Sequence, residues 1–275
     1  MIISSATNIS EDNELRSQFV WQLINDQNNF AFQCVGQNIP LVLIQFWNDS
    51  ESIPLDVQEC IKSWHPLEEQ GFKHFLFNDI TANEFIKNNY DSRYLNAFHR
   101  CLHPAMRSDY FRLCYLLKSG GFYVDTDDVY KGIGIEGLFS DDKLKVHPLC
   151  YDISTDSMVR TSDFILNNEY RSDRIYYLNN DPIISPPNHP LIQIALERST
   201  QILLASNENI KDVQSTTGPG NLTASLVKHS IELKSINNNF SFRFLDNWDN
   251  ISVPQWPLEY RKDKRNWRIW DGSTI

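Results

Sequence analysis

The sequence predicts an α/β fold whose strands run parallel and whose ligand site lies beyond their carboxyl ends. Pro40 to Trp47 (PLVLIQFW) is a near-continuous apolar run, the mark of a strand covered on both faces in a parallel sheet. Pro54 then opens a helical stretch with Val57, Cys60, Ile61 and Trp64 on one face, His65-Pro66 stops it, and Phe72 to Phe77 returns as a second strand. Strand, helix, strand is a βαβ unit, whose ligands gather at the carboxyl ends of its strands. Further on, a helix ends at Gly120-Gly121, and a short apolar strand of Phe122, Tyr123 and Val124 runs directly into Asp125-Thr126-Asp127-Asp128.

The remaining elements follow in order. Residues 1–38 read as a polar, Asn-rich arm around a short helix near Leu15 to Ile24, and the main domain spans 39–275. Thr81 to Leu102 reads as irregular helix, and Pro104 opens a cleaner one that runs to Ser119, because proline suits the first helical turn and glycine the end. Phe164 to Leu166 and Ile175 to Leu178 read as strands and Pro190 to Ser206 as a helix, while Phe240, Phe242 and Phe244 alternate as in an antiparallel strand. Tyr260 to Trp270 (YRKDKRNWRIW) forms an irregular, basic and aromatic tail on an otherwise acidic chain.

Composition narrows the function classes. The chain has 275 residues, 41% of them hydrophobic, which is enough for one large domain and too apolar for disorder. A formal charge of −10 argues against nucleic acid as a partner, because phosphate contacts need a basic surface. Cys34, Cys60, Cys101, Cys114 and Cys150 are widely spaced without a C-x-x-C pair, so reduced, mostly buried thiols are expected. Met1 to Asp12 carries acids where a signal peptide carries basic residues, and no apolar run approaches the ~20 residues of a membrane span, so a cytoplasmic protein is expected.

Carboxylates crowded at a strand end repel one another, and a fold that keeps them there usually supplies a hard cation such as Mg²⁺ or Mn²⁺. Asp125 and Asp127 would face one way on a continuing strand and Asp128 the other, so the first two are the better ligand pair. The competing reading is a solvated acidic turn. On the preceding helix Asp109 and Arg112 sit three apart, either as a modest ion pair or as a device in which Arg112 meets a phosphate and Asp109 orients it or accepts from ligand hydroxyls. His99 and His103 are four apart without a carboxylate-helix pattern around them and read as packing or capping residues. The loop Ser215 to Asn221 (STTGPGN) lacks the lysine of a phosphate-binding loop.

Together these residues resemble a family. Ala105 to Arg112 (AMRSDYFR) followed by Leu116 to Asp127 (LLKSGGFYVDTD) is similar to the signature of glycosyltransferase family 32, which includes mannosyltransferases and bacterial capsule or O-antigen enzymes and is distantly similar to the glucosylating clostridial toxins. Ile39-Pro40 through Gln45-Phe46-Trp47, then Cys60-Ile61 and Ser63-Trp64, resembles the start of that domain, and Thr217-Gly218-Pro219 its later T-G-P element. The resemblance covers residues 39–225. It implies a GT-A fold, a Rossmann-like mixed sheet flanked by helices, and transfer with retention from a nucleotide-diphosphate sugar, UDP-linked in preference to GDP-linked, with Mn²⁺ or Mg²⁺. It also implies an acceptor saccharide or lipid-linked oligosaccharide in surface-polysaccharide (O-antigen or capsule) assembly.

Carried over by position, the resemblance makes Asp127 the direct metal ligand and Asp125 the contact to ribose and donor sugar. It gives Asp109 and Arg112 to the sugar and leaving phosphate, and Trp47 to the nucleotide base. Tyr123, Gly218, Pro219 and Asn221 complete the substrate set from the same motifs. The family commonly ends on a His or acidic residue with an S-W pair, whereas this chain offers Trp267-Arg268-Ile269-Trp270-Asp271 without the serine. Asp271 is then the candidate third metal ligand, and Trp267 and Trp270 are candidate covers for the donor. Arg261, Lys262, Lys264, Arg265 and Arg268 suggest peripheral contact with the inner face of an anionic membrane, or simply a solvated tail. Two rival functions remain: a haloacid-dehalogenase-like phosphatase with Asp125 as nucleophile, and an inactive sugar-nucleotide binding protein.

Overall fold

Asp12 caps the first helix, α1 (Asn13–Asp26), by accepting a hydrogen bond from Leu15 N at 2.9 Å. Its sequence is polar overall, yet Val20, Leu23 and Ile24 fall on one face and are buried in the main core. The computed structural model describes residues 8–33, 36–165, 169–205 and 210–273. The apolar run becomes β1 (Val42–Phe46), which pairs in parallel with β2 (Lys73–Phe77) and with β3 (Gly121–Tyr123). Between β1 and β2 lie α2 (Leu55–Lys62) and the single turn α3 (Pro66–Glu69), with Pro66 at its start.

The predicted irregular helix resolves into α4 (Asp79–Asn89) and α5 (Ser92–His99), because Asp91 caps a fresh helix by accepting from Arg93 N. The clean helix is α6 (Pro104–Ser119), and His103 caps it through Nδ1, which accepts from Ala105 N at 3.0 Å. The turn from α6 into β3 requires its two glycines. Gly120 has φ 68° and Gly121 φ 122°, and a Cβ on Gly120 would lie 2.7 Å from Pro187. After β3 the chain turns at Thr126-Asp127 and pairs β4 (Asp128–Tyr130) with a distant strand, described below.

The second half of the sheet comes from β5 (Leu144–Asp152), β6 (Ser157–Val159) and β7 (Arg174–Ser185). Strand order is β2-β1-β3-β7-β5-β6, with β8 (Phe242–Phe244) also on β5. The pairs β3/β7, β5/β7 and β5/β6 are antiparallel and β5/β8 is parallel, so the expected mixed sheet is what forms. Alternate residues feed two cores: Ile44 and Tyr123 face α4, α6, α8 (Pro190–Ala205) and α10 (Pro219–Ser235), and Leu43 and Phe122 face Trp64 and Leu67. Between α8 and α10 lies the short α9 (Val213–Thr216), and α11 (Trp248–Ile251) leads into β9 (Ser252–Pro254), the antiparallel partner of β4.

Two expectations are corrected. Phe164 belongs to a helix, α7 (Thr161–Ile165), not a strand, because a short apolar cluster does not distinguish the two periods; Phe164 is buried against Tyr176 in either case. The strand at Phe242 and Phe244 runs parallel to β5, not antiparallel, and Phe240 makes a parallel bridge to Phe32. Alternation reports a buried face and carries no information about direction. Cys60, Cys101, Cys114 and Cys150 are free and buried, while Cys34, Leu166 and Ser206 lie outside the described residues. Among the described residues no helix is long and apolar enough to cross a membrane.

Candidate active site

Beyond the carboxyl ends of β1 and β3 opens a cavity of about 560 Å³, a size suited to a small-molecule ligand. Asp109 and Arg112 of α6 form its floor, Asp125 and Asp127 one wall, Asn180 and Asp181 of β7 another, and tail residues cover it. The side chain of Arg112 is almost wholly buried. Its Nη1 donates to Asn180 O at 2.6 Å, and Nη2 reaches Asp125 Oδ1 at 2.8 Å, Asp109 Oδ1 at 2.9 Å and Ser108 Oγ at 3.1 Å. The guanidinium also lies 4.0 Å from the centre of the Tyr123 ring.

A charge so placed must be compensated. Burial opposes the Arg112 cation, but Asp125, Tyr123 and Asp109 outweigh burial and hold it firmly protonated. Burial pushes the Asp109 carboxyl up to about 6, with Arg112 opposing the rise, while Asn180 Nδ2 and Thr217 Oγ1 donate to its two oxygens. Burial raises Asp125 as well, against the pull of Arg112. The backbone around these acids is fixed from outside: Asp125 N donates to Asp181 Oδ1 at 2.9 Å, Gln45 Nε2 donates to Asp125 O, and Gln255 N donates to Asp127 O.

The chain turns at Asp127, yet Asp125 and Asp127 both line the cavity. Asp127 Oδ2 accepts from Tyr260 OH at 2.6 Å and forms an ion pair with Arg261. Asp128 lines the cavity too, but it is almost wholly buried, accepting from Ser252 Oγ and hydrogen-bonding to Asp181. Burial first, then the neighbouring carboxylates, raises both Asp128 and Asp181 well above the carboxylate range. An acid with a raised folded pKa stabilises the fold fully only below its unfolded value, near 3.8, and that contribution disappears as pH rises through the folded value. Asp128→Asn keeps the hydrogen-bonding shape without the charge. In EDTA its melting temperature should therefore gain steadily on the parent's as pH rises above the ordinary carboxylate range. A gap that does not change with pH would refute the buried acid pair.

The other residues singled out from sequence are placed unevenly. Trp47 lines the cavity with its ring edge-on to Tyr260, centroids 5.3 Å apart. Tyr123 is fully buried beneath Arg112 and donates to Asp125 Oδ1 at 3.2 Å. Gly218 lies behind Asp109, where a Cβ would come 3.2 Å from Oδ2, and Pro219 lines the cavity. Asn221 is buried away from it, tied to Arg198 and Ala195 O. Trp267 lines the cavity, whereas Trp270 packs on His103. Asp271 is exposed and paired with Lys264, and it is not brought into a three-ligand group with Asp125 and Asp127 among the described residues.

Several residues at the cavity carried no local signal. Asn180 and Asp181 belong to the polar run Asn179-Asn180-Asp181 in the middle of β7, beyond the stretch that reads as a strand in the sequence. His147 on β5 also lines the cavity. It is hydrogen-bonded through Nε2 to Thr161 Oγ1, kept neutral by burial, and has no partner for Nδ1. Arg261 stood out only as one basic residue of the tail.

A family model described as glycosyltransferase sugar-binding region containing DXD motif matches residues 54–133, which end just beyond Asp127. The chain is 29% identical over 117 residues to "Uncharacterized glycosyltransferase L373" of Acanthamoeba polyphaga mimivirus, a match covering 39% of this chain and 45% of that protein. The match thus spans less than half the length of that relative. Among solved structures it is similar to "PaToxG Glycosyltransferase", with a TM-score of 0.46 and 14% identity over 97% of this chain and 94% of the other.

Proposed function

We propose that this chain, whose residues 54–133 carry the glycosyltransferase sugar-binding region with its DXD motif, is a metal-dependent retaining glycosyltransferase with a GT-A type fold. It transfers a sugar from a nucleotide diphosphate, UDP in preference to GDP, to an acceptor saccharide, free or lipid-linked, in surface-polysaccharide assembly. The observation that carries the reading is the convergence of Asp125 and Asp127 with two guanidiniums, Arg112 below and Arg261 above, on one cavity. A diphosphate sugar needs both signs: cationic groups for the phosphates, and acceptors for the sugar and ribose hydroxyls.

The residues fit a divalent cation. The bonds to Asp125 fall on Oδ1 and those to Asp127 on Oδ2, so each carboxylate has a second oxygen to offer, and hard oxygen donors suit Mn²⁺ or Mg²⁺. When bound, the cation would offset charge developing on the departing diphosphate. Arg112 and Arg261 each have a buried Nε without a partner, a donor that a phosphate oxygen would satisfy. In this reading Asp127 exchanges Arg261 for the cation, and Arg261 turns its fork to the diphosphate. Asp109, braced by Asn180 and Thr217, orients Arg112 and accepts from sugar hydroxyls.

The tail then covers the donor rather than serving as a membrane patch. Arg261, Arg265 and Arg268 line the cavity, with Arg261 stacked 4.5 Å from Trp256 and Arg268 4.5 Å from Trp267, while Lys262 and Lys264 remain outside. An aspartyl nucleophile of the phosphatase kind fits poorly, because Asp125 is held by a buried guanidinium that lowers its nucleophilicity. The test is hydrolysis of a panel of UDP- and GDP-sugars with Mn²⁺ or EDTA, since transferases slowly pass their donor to water. Diphosphate release from one donor, lost in EDTA, is expected. No release from any donor, with no metal-dependent nucleotide binding, would overturn the reading.

A further inference from the structure

Away from the cavity, His65 at the start of α3, Glu68 within it and His74 on β2 bring their ligand atoms within 4.8 Å of one another. The hydrogen-bond chain around His74 fixes its tautomer. Gln45 is fully buried, and its Nε2 must donate to the Asp125 carbonyl, which can only accept. Its Oε1 is thereby turned toward His74 Nε2, 2.8 Å away, and that nitrogen must carry the proton. The lone pair of a neutral His74 is then on Nδ1, which points at Glu68 Oε1 across 3.9 Å.

Two acceptors facing each other repel unless something positive lies between them. A cation held between them would meet both acceptors at once. The His65 ring stands 5.8 Å from that of His74 and completes the cluster from the solvent side. We propose that His65, Glu68 and His74 bind a divalent cation of the zinc type, with His74 coordinating through Nδ1 and the fourth position open to water. Two imidazoles and one carboxylate suit Zn²⁺ better than Mg²⁺ or Mn²⁺. Tetrahedral bonds of about 2 Å need the ligand atoms to draw in by only about 1–1.5 Å, and exposed His65 and Glu68 are free to make that move.

Gln45 gives the site its outer support. It holds the coordinating ring in one tautomer and at the same time grips the backbone of Asp125, so the cation would also brace the strand pair that carries the acidic motif.

The test uses the full chain stripped of metal, titrated with Zn²⁺ against a chromophoric chelator of micromolar affinity, with Co²⁺ as a visible-absorbing probe of tetrahedral geometry. One equivalent should bind with tetrahedral cobalt bands. His65→Ala and Glu68→Gln, both surface changes that spare the core, should each weaken binding by about 100-fold or more, beyond what loss of an outer partner costs. Asp127→Ala should bind the equivalent as tightly as the parent. Equal zinc affinity in His65→Ala and Glu68→Gln would overturn the site, as would failure to compete with the chelator. Loss of the equivalent in Asp127→Ala would assign the zinc to the cavity instead and equally refute the proposal.

Discussion

Asp127→Ala should lower metal-dependent release of nucleotide diphosphate by roughly 10²–10³-fold or more, the scale set by removing one preorganised electrostatic group from a transition state. The fold should survive. Asp127 contributes nothing apolar to the core, and its backbone carbonyl, which anchors Gln255 N, is untouched by the substitution. What is lost is the ion pair with Arg261 and the hydrogen bond from Tyr260. Against that, the change removes one of the neighbouring negative charges that push Asp125 and Asp128 upward. These opposing effects leave a net cost near 1 kcal/mol, a fall of about 2–4 °C in melting temperature for a chain of this size. Donor hydrolysis and thermal unfolding measured on one preparation check both halves. Full turnover in the variant would remove Asp127 from the site, and collapse of the fold would mean that its ion pair with Arg261 is chiefly structural.

The half of the molecule built from local pattern was legible in the sequence. β1, β2 and α6 each declare themselves through a continuous apolar run, a 3.6-residue period or a Pro/Gly boundary. The acidic motif stood out because Gly120 and Gly121 end a helix and deliver a strand straight into it. β5 did not stand out, because Lys145, His147, Pro148 and Asp152 break its pattern. His147 and Asp152 are accommodated by partners far along the chain, Thr161 and Arg174, while Lys145 pairs with Asp141 four residues earlier and the register slips between Val146 and Pro148. The site divides the same way. Spacing placed Asp109 beside Arg112, but only the fold adds Asn180, Thr217 and Asp125, from separate elements, and turns a helical ion pair into a buried network. Proximity in sequence also promised too much for Asp271, which sits close to Trp267 along the chain but points to solvent and Lys264.

Arg112→Lys should be the more damaging of the conservative changes, because the site uses the shape of the guanidinium as much as its charge. Two terminal nitrogens now serve Asn180 O, Ser108 Oγ, Asp109 and Asp125 at once while the flat group stacks on Tyr123. A single ammonium at the end of a shorter, unstacked stem reaches the carboxylates or the Asn180 carbonyl, not both. The stranded partner lies in a buried setting where an unmet acceptor costs about 1–3 kcal/mol. Arg112→Met removes the charge as well and leaves Asp109 and Asp125 facing each other uncompensated, a change on the order of 3–5 kcal/mol. Stability should therefore fall in the order parent, lysine, methionine. Turnover should fall out of proportion to stability: if Arg112 supports the leaving diphosphate through a fixed fork, the lysine variant loses roughly 10²–10³-fold in kcat while much of its melting temperature remains. Kinetics of the lysine variant run well below its melting temperature separate the two roles. Unchanged kcat would reduce Arg112 to a buried brace for Asp109 and Asp125, whereas a loss of kcat out of proportion to the loss of stability places its donors against the reacting phosphate.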